Sequence, residues 1–220
     1  LEHAEILGET IEAIARDKAA IAPESAPLVT AAEGEALETI AGTVGAIRRV
    51  SDGDGGDVVV SSGGRDGIEQ RVTIDADGWR IETAVPLLGT HQARNAGIAA
   101  ALARQVADVS IAEIERGLRN AHWPGRFEIM DREPLVVLDG AHNPGSCAET
   151  ATTLGTFEYG DLHLVFGAMA EKDHRGMIEA LPAAEAVYTS RPDLARAETA
   201  DSLAATFETE GRAGSITPVD

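Results

Sequence analysis

The chain has 220 residues, and its 37 Asp plus Glu against 18 Lys plus Arg give a formal net charge of -19. A field of that sign excludes nucleic acid and anionic membrane surfaces as partners, and no apolar run reaches the ~20 residues that span a bilayer. The single cysteine, Cys147, leaves no intramolecular disulfide and fits a reducing, cytoplasmic compartment.

Hydrophobic residues make up 44% of the chain, enough for one large domain or two small ones. Lys18 and Lys172 are its lysines, and the remaining basic residues are arginines. An acid-rich, lysine-poor surface suits concentrated salt, so a halophilic, archaeal cytosol is expected. No basic stretch followed by an apolar one opens the chain, so no secretory signal is read. Nor does the sequence contain a GxxxxGK[ST] phosphate loop.

In chain order, Thr10 to Lys18 carries Ile11, Ile14 and Ala15 at helical spacing, and Leu28 to Thr30 reads as a short strand. Glu33 to Arg49 reads as one helix, with Leu37, Ile40, Val44 and Ile47 on a side. After a Gly/Asp loop at 51–56, Asp57 to Val85 is β-rich, with turns expected at Gly63-Gly64 and Asp77-Gly78. Gly89 to Ala107 is helical, and Ser110 with Glu113 forms a capping-box pattern opening another helix.

Trp123-Pro124-Gly125 breaks that run, and a domain boundary is placed near 121–125. Beyond it strands at 135–138, 162–166 and 186–190 alternate with helices near 145–155, 174–181 and 199–209, which implies a parallel sheet. The run Leu135 to Leu138 reads as a strand buried on both faces. It releases Asp139, His142 and Asn143 at its carboxyl end, where open α/β sheets place ligands. The last ten residues turn towards a further strand. Cys147 lies close enough to this loop that a catalytic thiol is conceivable, although a buried structural cysteine is the commoner case.

Three stretches carry a resemblance: Leu88-Gly-Thr-His-Gln-Ala-Arg-Asn95, Trp123-Pro-Gly-Arg-Phe-Glu128 and Asp139-Gly-Ala-His-Asn-Pro144. Together with Phe166-Gly-Ala-Met-Ala-Glu-Lys-Asp173 and Arg196-Ala197, the sequence resembles the folylpolyglutamate synthase and dihydrofolate synthase family, within the Mur ligase superfamily. The resemblance implies an α/β architecture. Residues 1–122 would be the end of a Mur-type P-loop central domain, and 123–220 a Rossmann-like, mostly parallel glutamate-ligase domain.

The resemblance also implies a reaction. ATP phosphorylates a folate or dihydropteroate carboxylate, and the amine of L-glutamate attacks the acyl phosphate. Magnesium ion would offset the phosphate charge. Without a phosphate loop, these 220 residues alone are expected to be inactive. A fused or adjacent folate-pathway domain would be compatible. Two other readings stay open: a Mur-type ligase for another carboxylate, and a non-catalytic nucleotide-binding remnant.

The family's ATP contacts outside the phosphate loop fall on Asn95, Arg126 and Asp139. An amide can read an adenine edge, a guanidinium can grip phosphate oxygens, and a carboxylate can accept ribose hydroxyls. The plain alternatives are a polar helix residue, a surface ion pair and a helix cap. His142 falls at the reaction centre, where an imidazole could bind a carboxylate or help deprotonate the amine. His3 and Lys18 match a magnesium pair in which the lysine is carbamylated. They could share a site only if the chain folds back near Leu7-Gly8. His91 and Gln92 are expected to position their helix, and Asn143 to fix its turn.

Overall fold

A computed structural model describes residues 10–22, 25–53 and 55–219, and the chain divides into two units after Pro124. The expected fold-back at Leu7-Gly8 and His3 lie outside the described residues.

Unit 1 is built on a five-stranded mixed sheet in sequential order. Its strands are β1 (Leu28–Thr30), β2 (Ile47–Ser51), β3 (Val58–Asp66), β4 (Glu69–Ala76) and β5 (Trp79–Val85). The first three run parallel, and β3, β4 and β5 form an antiparallel meander. Helix α1 (Ile11–Ala19) begins at Thr10, whose hydroxyl accepts from Ala13 N, and packs with α2 (Gly34–Thr43) through Ala15, Ala19 and Ile40.

Period-two alternation places Val72, Ile74, Ile81 and Val85 on the core face of β4 and β5. Helix α3 (Thr90–Val106) covers that face with Ala93, Ala96, Ala100 and Ala101, and α4 (Ile111–Arg119) adds Ile114 and Leu118. Small residues let α3 approach closely. A Cβ added at Gly97 would sit 2.3 Å from Val60 Cγ2 and 3.0 Å from Val50 Cγ1. The Ser110–Glu113 capping box that opens α4 is present in full.

Two expectations fail in unit 1. The helix starting near residue 33 stops at Thr43, and Ile47 belongs to β2 rather than to a helical face. Val44 is already extended, and the β-branched side chains at Ile47 and Val50 gain more from the pleated sheet. Gly63-Gly64 is not the hairpin turn. It is an irregularity within β3, where register shifts between Ser62 and Arg65, and the chain reverses at Gly67 instead.

Unit 2 opens with an antiparallel hairpin, β6 (Glu128–Arg132) and β7 (Leu135–Leu138). A three-stranded parallel sheet follows, ordered β10 (Ala213–Val219), β9 (Ala184–Ser190), β8 (His163–Phe166). Helices α5 (Pro144–Leu154), α6 (His174–Ala180) and α7 (Ala200–Glu210) alternate with these strands. Phe166, Met177, Ile178, Val187, Leu203 and Phe207 form the core, where Phe166 meets Phe207 edge-on at 5.3 Å.

Residues 135–138 are not a strand buried on both faces. They pair with β6, alternate half-buried and exposed, and leave Val136 and Leu138 44% and 51% accessible. A four-residue apolar run carries no information about its pairing partner, and here the chain immediately before it claims the edge. The closing residues, read as a turn towards a strand, are themselves the parallel strand β10.

Candidate functional site

The loop after β7 and the turn before β6 are one hydrogen-bonded unit. Asp139 joins them. Its Oδ2 accepts from Phe127 N at 2.7 Å, while Oδ1 accepts from Ala141 N at 2.8 Å and Thr150 Oγ1 at 2.9 Å. Gly140 N donates to Gly125 O at 2.7 Å, and Gly125 N donates to a Glu128 carboxylate oxygen at 2.8 Å.

The turn so clamped is strained. Gly125 has φ +70°, and Phe127 has φ +46°, an uncommon conformation for a bulky side chain. The bond to Asp139 and burial of the ring, 5% accessible and stacked on Phe157 at 5.7 Å, offset that cost. Arg126, between these residues, is exposed and has no hydrogen bond or ion pair with the described residues. The structure thus brings Arg126 and Asp139 onto one rigid feature.

Asp139 does not cap α5. Asn143 does: its Oδ1 accepts from Ser146 N at 2.8 Å, and Ser146 Oγ accepts from the His142 and Asn143 amides at 3.0 and 3.1 Å. Asn143 is therefore the turn-fixing residue expected. His142 is exposed, with Nδ1 2.9 Å from Gly140 O. A carbonyl only accepts, so Nδ1 carries the hydrogen in this contact.

Cys147 lies just behind, 1% accessible. Burial, reinforced by the Asp139 charge, pushes its thiol up to about 11. A thiol so protonated is a packing group, not a nucleophile.

The loops after β8 and β9 are zipped together. Ala170 N donates to Arg196 O at 2.8 Å and Glu198 N to Ala168 O at 2.9 Å, with Met169 bridged to Ala197. Asp173 caps α6 through Gly176 N at 2.9 Å. A Cβ at Gly176 would lie 2.8 Å from Pro144 Cγ, so the first turns of α5 and α6 meet.

Asn95 belongs to unit 1, exposed on α3, where its Nδ2 donates to Gln92 Oε1 at 3.1 Å. Gln92 is 9% accessible and thereby sets the direction of the Asn95 amide. Gln70, 5% accessible, donates through Nε2 to Leu87 O and Gly89 O, both at 2.9 Å, and so fixes the start of α3. Lys18 is exposed on α1 beside an apolar groove of about 340 Å³ lined by Ile11, Ile14, Leu28 and Ile40. Among the described residues no three or more His, Cys, Asp or Glu are grouped as metal ligands.

The sequence reading missed Gln70, Ser146 and Thr150. The Asn143–Ser146 spacing is a cap signal that could have marked Ser146. Nothing local ties Thr150 to Asp139 or Gln70 to Gly89.

Residues 125–219 match the family described as Mur ligase, glutamate ligase domain. The chain is 53% identical to a probable bifunctional folylpolyglutamate synthase/dihydropteroate synthase of Haloferax volcanii, over 94% of this chain and 25% of that protein. It is 31% identical to the dihydrofolate synthase/folylpolyglutamate synthase of Bacillus subtilis, over 100% of this chain and 53% of that one. Among solved structures, the Mycobacterium tuberculosis folylpolyglutamate synthase complexed with ADP and AMPPCP superposes with a TM-score of 0.84 at 25% identity, covering 98% of this chain and 52% of that chain. The Thermotoga maritima folylpolyglutamate synthase gives 0.79 at 26%, covering 96% and 51%.

Unit 2 therefore has the fold of a Mur-type glutamate-ligase domain. The chain belongs to the folylpolyglutamate synthase/dihydrofolate synthase family, and it spans between a quarter and about half the length of these relatives.

Proposed function

We propose that this chain is part of an ATP-dependent ligase that joins L-glutamate to a folate or dihydropteroate carboxylate through an acyl phosphate. Residues 1–122 would supply the end of the central domain and 123–220 the glutamate-ligase domain. The clamp that ties the turn bearing Arg126 to the Asp139 loop, through Phe127 N and Gly125 O, is the observation that carries this reading. A carboxylate has about four acceptor positions, and three of Asp139's are taken by Phe127 N, Ala141 N and Thr150 Oγ1. The one left, on Oδ2, suits a ribose hydroxyl. Arg126 offers its guanidinium donors to phosphate oxygens, and Asn95 keeps its carbonyl and one N–H for a base edge. The Mycobacterium tuberculosis relative complexed with ADP and AMPPCP supports nucleotide binding.

When bound, ATP supplies the phosphoryl group that activates the carboxylate, and magnesium ion offsets its charge. His142 is assigned to the reaction centre, near the incoming glutamate or the phosphate. Lys18, carbamylated, with His3 is the proposed metal pair. The fused dihydropteroate synthase named for the Haloferax volcanii relative supports a neighbouring folate-pathway domain here, and that relative's source supports a halophilic setting.

These 220 residues contain no phosphate loop, so incubation with ATP, magnesium, dihydropteroate and glutamate is expected to yield no product. Product-coupled ADP release would overturn that incompleteness. In a chain extended to the relatives' length, Asp139→Ala and Arg126→Ala should each cut turnover by at least about tenfold, as loss of a charge-assisted contact implies. Unchanged ligation in both variants would overturn the site.

A further inference from the structure

We propose that Thr150 is a positioning residue for the sugar-binding carboxylate. It pins Asp139 Oδ1 so that Oδ2 is the oxygen presented to ligand. The inference rests on the nucleotide reading of Asp139 and goes beyond it, to a residue six positions inside α5.

Four observations carry it. Thr150 Oγ1 stands 2.9 Å from Asp139 Oδ1 and 3.0 Å from Ser146 O. One hydroxyl has one hydrogen, and a carboxylate is the stronger acceptor, so the hydrogen goes to Asp139. The Ser146 carbonyl has its helical partner in any case, one turn along α5. Second, Ala141 N donates to that same oxygen at 2.8 Å, which fills Oδ1 and leaves the remaining acceptor position on Oδ2.

Third, Oδ2 already holds Phe127 N at 2.7 Å. Rotation of the carboxyl group about its Cβ–Cγ bond would break that bond while Phe127 sits at φ +46°. The plane of the carboxylate therefore matters to the Arg126 turn as well as to any ligand. Fourth, Thr150 is anchored in a helix whose start is fixed by the Asn143–Ser146 capping box. It is thus a rigid reference for a carboxylate on a loop. Ala141 N moves with that loop and cannot serve the same purpose.

Thr150→Val keeps the shape and removes the hydroxyl, and Thr150→Ser restores it. Two readouts separate positioning from bulk stability. Without ligand, amide exchange at Phe127 and Ala141 should quicken about tenfold in Thr150→Val, as loss of one charge-assisted bond implies. Thr150→Ser should return it to the parent rate, with little change in Tm.

With nucleotide, titration by NMR of a chain extended to the relatives' length, the parent in this comparison, should show it preferring ADP over 2′,3′-dideoxy-ADP. Thr150→Val should lose most of that preference while keeping its affinity for the dideoxy compound, and Thr150→Ser should recover it. Unchanged exchange overturns the proposal whatever the nucleotide does. Faster exchange with the sugar preference intact also overturns it, because Thr150 then only stabilises the loop. A parent chain that fails to distinguish the two nucleotides overturns the ribose reading of Asp139 itself, and this assignment with it.

Discussion

Cys147 shows how position overrides residue type. It sits in the first turn of α5, where a thiolate would be favoured by the helix dipole. Yet enclosure drives its thiol from 9.0 to about 11. At pH 8 about one native thiol in a thousand is ionised, against about one in ten unfolded. Alkylation by iodoacetamide at that pH should therefore be at least about a hundredfold slower in the native chain than in urea. Equal rates would show that the site is open. The sign of the linkage follows. Native Cys147 keeps its proton between 9.0 and about 11, where the unfolded thiol has lost it. Its contribution to stability is complete below that window and declines as pH rises through it.

At the scale of elements, the close approach of α3 to the sheet is the most sensitive packing feature. Gly97→Ala gains helix propensity worth about 1 kcal/mol, but the added carbon lands 2.3 Å from Val60 Cγ2. Overpacking costs about 1–3 kcal/mol and exceeds the gain at a side chain this enclosed. Urea titration should show net destabilisation, partly relieved by adding Val60→Ala. A stabilised Gly97→Ala would mean that α3 can lift freely.

Elements whose signals are local were legible in the sequence. The Ser110–Glu113 cap, the Asp77-Gly78 turn and the alternation of β4 and β5 all act within a few residues. What escaped depends on partners distant in the chain. Ile47 fits a helical stripe as well as a strand until Leu28 of β1 pairs with it. Residues 135–138 are apolar enough for any buried strand, and only pairing with β6 settles their role. In the candidate site, Asp139, His142 and Asn143 stood out because they interrupt an apolar run. Thr150 and Gln70 did not, because their partners lie 11 and 17 or more residues away.

For the whole molecule, charge is the dominant fact. The described ion pairs are mostly exposed, several of them one helical turn apart, such as Glu12–Arg16, Glu115–Arg119 and Arg175–Glu179. Each is worth at most about 1 kcal/mol, and together they leave most of the 37 acidic groups opposing one another. Self-repulsion of that kind reaches across ~10 Å in dilute salt and ~3 Å at molar concentration. Thermal unfolding in KCl should therefore give a Tm that climbs from 0.1 M to molar salt by roughly 10 °C or more, the size expected for a few kcal/mol. Equal Tm at both ends would remove the case for a halophilic setting.

The clamp at Asp139 also bears on how the two motifs could be moved between proteins. The carboxylate of one loop is the acceptor that holds Phe127 of the other at φ +46°, and Gly140 is tied back to Gly125. Transplanting Asp139 to Pro144 alone into a foreign sheet would deliver a side chain without its counterweight. Transplanting Gly125 to Glu128 alone would deliver a turn with nothing to keep it bent. The portable unit is the pair, together with the first two turns of α5 that carry Ser146 and Thr150.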